Sequence, residues 1–224
     1  MRKEFGLAGK RCLRFGDEEA GVHLIQPVDS HDWELLDRER ESLSGLAPQQ
    51  HFSLTALLVE DWNRELSPWE APPVFGTHGF GAGAGETLAW IEEALLPSCG
   101  NGPVFLGGYS LAGLFALWSA YQTERFAGIA AVSPSVWFPG WEKYAQERRC
   151  LSPRVYLSLG DREERTRNAL MATVGERIRA EYARLSQTTD CALEWNQDNH
   201  FRDPELRMAR GFAWLLAESS GGKL

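Results

Sequence analysis

Ser110 stands in the pentapeptide Gly108-Tyr109-Ser110-Leu111-Ala112, where its hydroxyl could serve as a nucleophile. The run Val104–Leu106 before it reads as a short apolar strand, and Leu111–Trp118 after it as a helix apolar nearly all round. This is a variant of the Gly-x-Ser-x-Gly elbow with alanine in the last position. A serine on so sharp a strand-to-helix turn needs small residues two places to either side, because larger ones would strike neighbouring strands. Gly108 and Ala112 meet that need, and Gly113 allows a further close approach. The bland alternative is a serine that merely caps its helix; strand, elbow and apolar helix in one run favour the nucleophile.

A serine hydroxyl is a weak nucleophile without a base, and the base needs an acid to orient it. On a strand–turn–helix elbow the chain order is serine, acid, histidine. Of the five histidines only His200 follows Ser110, just past the last predicted strand, so it is the candidate base. His23, His31, His51 and His78 precede the serine and read as structural or solvated. The candidate acids lie in Gly160-Asp161-Arg162-Glu163-Glu164, after the strand ending at Leu159. Glu163, a few residues beyond the turn glycine, suits the role best; Asp161, nearer the turn, is the alternative and could instead hold loop amides. Either could also simply favour the start of a following helix. An oxyanion would be held by the amide of Leu111 and by one from Asp29-Ser30-His31, with Asp29 the candidate. Trp137 is expected to wall the substrate pocket, and Tyr109, beside the nucleophile, to touch substrate. His78-Gly79 resembles an oxyanion signature but follows the wrong strand.

The elements that must position these groups alternate along the chain. Val22–Val28 is a strand whose Pro27 marks an end or an edge, and Trp33–Leu43 a charged helix with one apolar stripe. Phe52–Val59 is a strand, and a long Pro-, Gly- and Trp-rich loop covers 61–85. Glu86–Leu96 is helical, the elbow helix runs to about Gln122, and Gly128–Val132 is a buried strand. Ser133–Gly140 is an aromatic loop; strands follow at Val155–Leu159 and Cys191–Trp195, with helices at Met171–Leu185 and Pro204–Ala217. Residues 1–20 are mixed and charged, with Cys12–Phe15 a short strand. Repeated strand–helix alternation means a mostly parallel sheet with helices on both faces, and sites at the carboxyl ends of its strands. Residues 1–224 read as a single domain without an inserted lid.

Composition narrows the rest. At 224 residues and 43% hydrophobic, the chain can bury a substantial core. A net charge of −8 argues against nucleic acid or an anionic membrane as partner. Met1-Arg2-Lys3 is followed by no apolar signal core, and Cys12, Cys99, Cys150 and Cys191 are scattered. Both point to a cytoplasmic protein with reduced thiols. No cluster has metal-ligand spacing, so no metal and no cofactor is expected. Gly79–Ala84 fits a dinucleotide fingerprint on paper, yet the strand that should supply its acid leads instead to Ser110. Arg64 could grip a substrate carboxylate, although pinning its own loop is the commoner fate of such an arginine.

Four segments together carry a family resemblance. Gly107–Gly113, Val132-Ser133-Pro134-Ser135-Val136-Trp137, Gly160–Glu164 and Asn199-His200-Phe201 resemble the esterase branch of the α/β-hydrolases. That branch includes esterase D-like enzymes and siderophore trilactone esterases. Asn63–Pro68 is similar to a loop found there after the strand preceding the elbow. The resemblance spans about residues 20–217. It implies an α/β-hydrolase fold and a metal-free serine hydrolase of carboxylic esters, acting on a small molecule as monomer or homodimer. The chain departs from the branch in its short N-terminal part and in Ala112, which weakens transfer of the siderophore substrate but not of the chemistry. An acyltransferase on the same residues, or a non-catalytic binding protein on the same scaffold, are the alternatives.

Overall fold

A computed structural model describes residues 1–74 and 76–218. It opens on a hairpin whose first strand is hidden from hydrophobic patterning: β1 (Arg2–Leu7) is largely exposed and pairs antiparallel with β2 (Lys10–Phe15), which contains the short strand expected over Cys12–Phe15. Ala8 and Gly9, both at positive φ (43° and 84°), form the two-residue turn, the backbone that matches the twist of the flanking strands. β3 (Val22–Val28) leads to the one-turn helix α1 (Ser30–Trp33) and then α2 (Leu36–Leu46). The single helix expected over 33–43 is thus two, because the Asp29 carboxylate caps α1 and a new helix starts after Leu35. β4 (Phe52–Leu58) precedes the long loop, which is less irregular than expected: it holds α3 (Trp62–Glu65) and an isolated bridge between Ala71 and Phe80.

α4 (Ala84–Trp90) runs on through a π-helical turn over Ile91–Leu95. β5 (Val104–Tyr109), α5 (Leu111–Ser119) and β6 (Gly128–Val132) follow. The aromatic loop ends in α6 (Trp141–Gln146), a helix too short to show a periodic pattern. β7 (Arg154–Gly160), α7 (Val174–Leu185), β8 (Asp190–Asn196) and α8 (Pro204–Glu218) complete the chain.

The eight strands form one sheet in the order β1-β2-β4-β3-β5-β6-β7-β8. β1 and β2 are antiparallel; β3 to β8 are parallel. A parallel sheet is buried on both faces, and two cores result. On one face Leu88, Ile91, Leu114, Phe115 and Ile178 of α4, its π turn, α5 and α7 cover the strands. On the other, Leu36 and Leu43 of α2 pack with Met208, Phe212 and Leu215 of α8. Every residue of α5 is buried, so its lack of an amphipathic stripe reflects its central position. Among the described residues no lid domain is inserted, and no helix is long and apolar enough to cross a membrane. Pro27 stands inside an interior strand, paired with Leu57 of β4 but beyond Ile25, the last residue paired with β5.

Candidate active site

The elbow is built by close approach. A Cβ on Gly108 would lie 2.2 Å from the Ala112 carbonyl oxygen, so only glycine fits there. Ser110 carries φ 59° and ψ −118°, a conformation that L residues seldom adopt and that neighbours must enforce. Two hydrogen bonds enforce it: the Ser110 amide donates to Val132 O (3.0 Å), and the Ser135 amide donates to Ser110 O (3.0 Å). The strain turns the hydroxyl to the carboxyl edge of the sheet, while Leu111 opens α5 with an amide that has no intrahelical partner.

There Ser110 meets residues 53 and 90 positions away. Ser110 Oγ lies 3.0 Å from His200 Nε2, and His200 Nδ1 lies 2.7 Å from Glu163 Oε2. Glu163 Oε1 accepts from Ser133 Oγ (2.7 Å), the Gly160 amide (2.6 Å) and Arg207 (2.9 Å). Burial opposes ionisation of Glu163, but the His200 bond and charge, with the Ser133 and Gly160 donors, outweigh it and hold the carboxyl below its usual range. An ionised carboxylate only accepts, so Nδ1 carries the imidazole proton and Nε2 presents a lone pair to Ser110.

Asp161 does not join this chain. Its Oδ1 accepts from the Asp198 amide (2.9 Å) and ties the β7 and β8 loops together. The Asp29 carboxylate caps α1 by accepting from the His31 and Asp32 amides (2.8 Å each). Asp29 is not among the cavity-lining residues, and the β3–β5 pairing ends at Ile25 and Leu106, four residues short of Asp29 and Ser110. Tyr109 is also absent from the lining: its side chain is buried, and its hydroxyl donates to His200 O (2.8 Å). Burial pushes that phenol up to about 12, so it stays a donor.

A cavity of about 380 Å³ opens above Ser110, the scale of a small-molecule site. Leu111 and Trp137 line it, joined by Trp62, Phe80, Met171 and Phe201. Trp69 and Trp141 serve other ends. Trp69 donates to Pro139 O (2.8 Å), and Trp141 is buried in a stack on Tyr144. Arg64 pairs with Glu86 (3.1 Å) and pins its loop. His23 is buried with Nδ1 2.8 Å from Ser53 Oγ, whereas His31, His51 and His78 are exposed. Ser133, Phe80 and Arg207 escaped the sequence reading. Ser133 had one available signal, its place directly after the β6 strand; Arg207 had none, for it reads as an ordinary helix arginine.

Known structures resemble the chain along its whole length. An IroE-like serine hydrolase from Shewanella oneidensis gives a TM-score of 0.80 at 16% identity, covering 99% of this chain and 82% of that one. The siderophore hydrolase EstA from Aspergillus nidulans gives 0.69 at 19% identity over 99% of this chain and 94% of its own. EstB from the same organism gives 0.72 at 16%, over 100% and 96%. No family model and no curated protein sequence matches the chain. At such identities the likeness speaks for architecture alone, and the architecture is the α/β-hydrolase fold.

Proposed function

We propose that this α/β-hydrolase domain cleaves carboxylic esters of small molecules with Ser110 as nucleophile, His200 as base and Glu163 as acid. One observation carries the reading: the unbroken path Ser110 Oγ–His200–Glu163, with steps of 3.0 and 2.7 Å, at the floor of a cavity. His200 Nε2 takes the Ser110 proton as Oγ attacks the ester carbonyl. The Leu111 amide holds the developing oxyanion, with a second donor from the Asp29 turn. The imidazolium, steadied by ionised Glu163, passes its proton to the leaving alcohol and leaves an acyl-serine. Water, deprotonated by His200, then attacks that ester, and Ser110 regains its proton from the imidazolium as the acid departs.

Solved structures of similar fold are themselves named as serine or siderophore hydrolases, which supports ester hydrolysis in general. For this chain we favour esters with compact acyl groups, in keeping with a cavity of about 380 Å³. Four unpaired cysteines are in keeping with a reducing compartment, and we place the enzyme in the cytoplasm.

A fluorophosphonate probe tests the reading. It should label the wild-type protein once, at Ser110, and fail to label Ser110→Ala. Labelling that survives Ser110→Ala, or a wild-type protein that is neither labelled nor active on activated esters, would refute it.

A further inference from the structure

Burying an arginine removes several kcal/mol of hydration that its partners must offset. Arg207, in the first turn of α8, has a side chain only 3% exposed. Its guanidinium makes five hydrogen bonds, divided between its two ends. The two hydrogens of Nη1 are shared among Glu163 Oε1 (2.9 Å), Tyr109 Oη (3.1 Å) and Ser133 Oγ (3.3 Å). Nη2 donates to the carbonyls of Gln197 (2.8 Å) and Asn199 (2.9 Å), in the loop that carries His200. Tyr109 closes the circuit, since its hydroxyl donates in turn to the His200 carbonyl. One rigid planar group therefore grips both the carboxylate and the backbone that leads into His200.

We infer that Arg207 is a positioning residue of the proposed hydrolysis, joining the acid and the histidine loop into one unit. The inference rests on the assignment of Ser110, His200 and Glu163 given above. Two effects follow. With Oε1 occupied by Arg207, Ser133 and Gly160, the carboxylate cannot rotate, and Oε2 alone faces His200 Nδ1. The positive charge on Oε1 also moderates the negative field that Glu163 exerts on the imidazole. A lysine could supply that charge, but a single ammonium cannot reproduce the fork that spans carboxylate and loop.

The test is the pH dependence of kcat and KM on an activated acetate ester for wild type, Arg207→Lys and Arg207→Met, with Ser110→Ala as reference. Circular dichroism and thermal melting establish which variants fold. Displacing the base by about 1 Å costs about 10²-fold, so both variants should lose about that much in kcat with KM within about threefold. In Arg207→Met the acid limb of kcat/KM should also move to higher pH, because the imidazole then faces an unmoderated carboxylate. In Arg207→Lys the limb should move less. A folded Arg207→Lys or Arg207→Met with kcat within about threefold of wild type overturns the inference. So does a kcat loss in Arg207→Met with no shift of the acid limb. If Arg207→Met does not fold, the kcat of Arg207→Lys decides alone. Activity persisting in Ser110→Ala would instead overturn the underlying assignment, a result the arginine variants cannot mimic.

Discussion

Replacing Glu163 by glutamine tests the site at its most sensitive point, because the structure dictates how the new amide must lie. Oε1 receives three donors, from Ser133, the Gly160 amide and Arg207, and only an oxygen can sit among them. The amide NH₂ of Glu163→Gln must therefore point at His200 Nδ1, which the carboxylate contacts at 2.7 Å. Nδ1 must then accept, the proton moves to Nε2, and the imidazole can no longer take the proton of Ser110. The corresponding tautomer error in a serine protease lowers turnover about 10⁴-fold, or about 5 kcal/mol of barrier. His200 is 29% exposed, so water can support part of the productive tautomer, and we expect a loss between about 10² and 10⁴-fold. The change also strips Arg207 of its counter-charge, at about 3–5 kcal/mol for one half of a buried pair. The assay is therefore run on an activated ester well below the variant's melting temperature, with circular dichroism on the same sample. Asp161→Asn is the control: its oxygen can still accept from the Asp198 amide, and kcat should stay within about threefold. A folded Glu163→Gln enzyme within about tenfold of wild type would refute the triad assignment, and an inactive, folded Asp161→Asn would move the acid to Asp161.

The remaining expectations concern the elbow, a buried acid, the chemistry and the pocket. Gly108→Ala places a Cβ 2.2 Å from the Ala112 carbonyl oxygen and should prevent the elbow from forming, read as loss of soluble expression or of the cooperative thermal transition. Glu39 is buried, and burial pushes its carboxyl from 4.5 up to about 8, a shift the Gln26 hydrogen bond only partly opposes. A raised folded pKa stabilises fully only below the unfolded value, so Glu39 costs stability progressively from about pH 4.5 to 8. Glu39→Gln should therefore be more stable than wild type by about 3 kcal/mol in urea unfolding at about pH 7, with the gain vanishing near pH 4. EDTA should leave turnover unchanged, because attack, proton transfer and oxyanion binding are all assigned to groups of the chain; loss restored by zinc would count against the serine mechanism. Short-chain nitrophenyl esters should be hydrolysed faster than long-chain ones, and the reverse order would contradict the compact cavity.

Local chemistry sufficed for much of this protein. Glycine and alanine around Ser110, together with the largely apolar runs of β4, β5 and β6, announce a parallel sheet with a strained serine at its edge, since both depend only on near neighbours in the chain. Chain order singled out His200, the one histidine after the serine, and its Nε2 lies 3.0 Å from Ser110 Oγ. β1 and the break between α1 and α2 left no such trace. Exposed strands lack apolar periodicity, and a helix interrupted by its own cap resembles a continuous one. The rivalry between Glu163 and Asp161 was beyond local reasoning altogether. Two carboxylates two residues apart differ in role only through what lies opposite them: Ser133 from β6 and Arg207 from α8 for one, the Asp198 amide for the other. The same holds for Tyr109, which adjoins the nucleophile in the chain yet turns to hold the His200 carbonyl. Sequence specifies which groups are available and the local backbone that presents them; which of them meet is decided by strand register and helix packing, which bring together such distant residues as Tyr109 and Arg207, 98 positions apart.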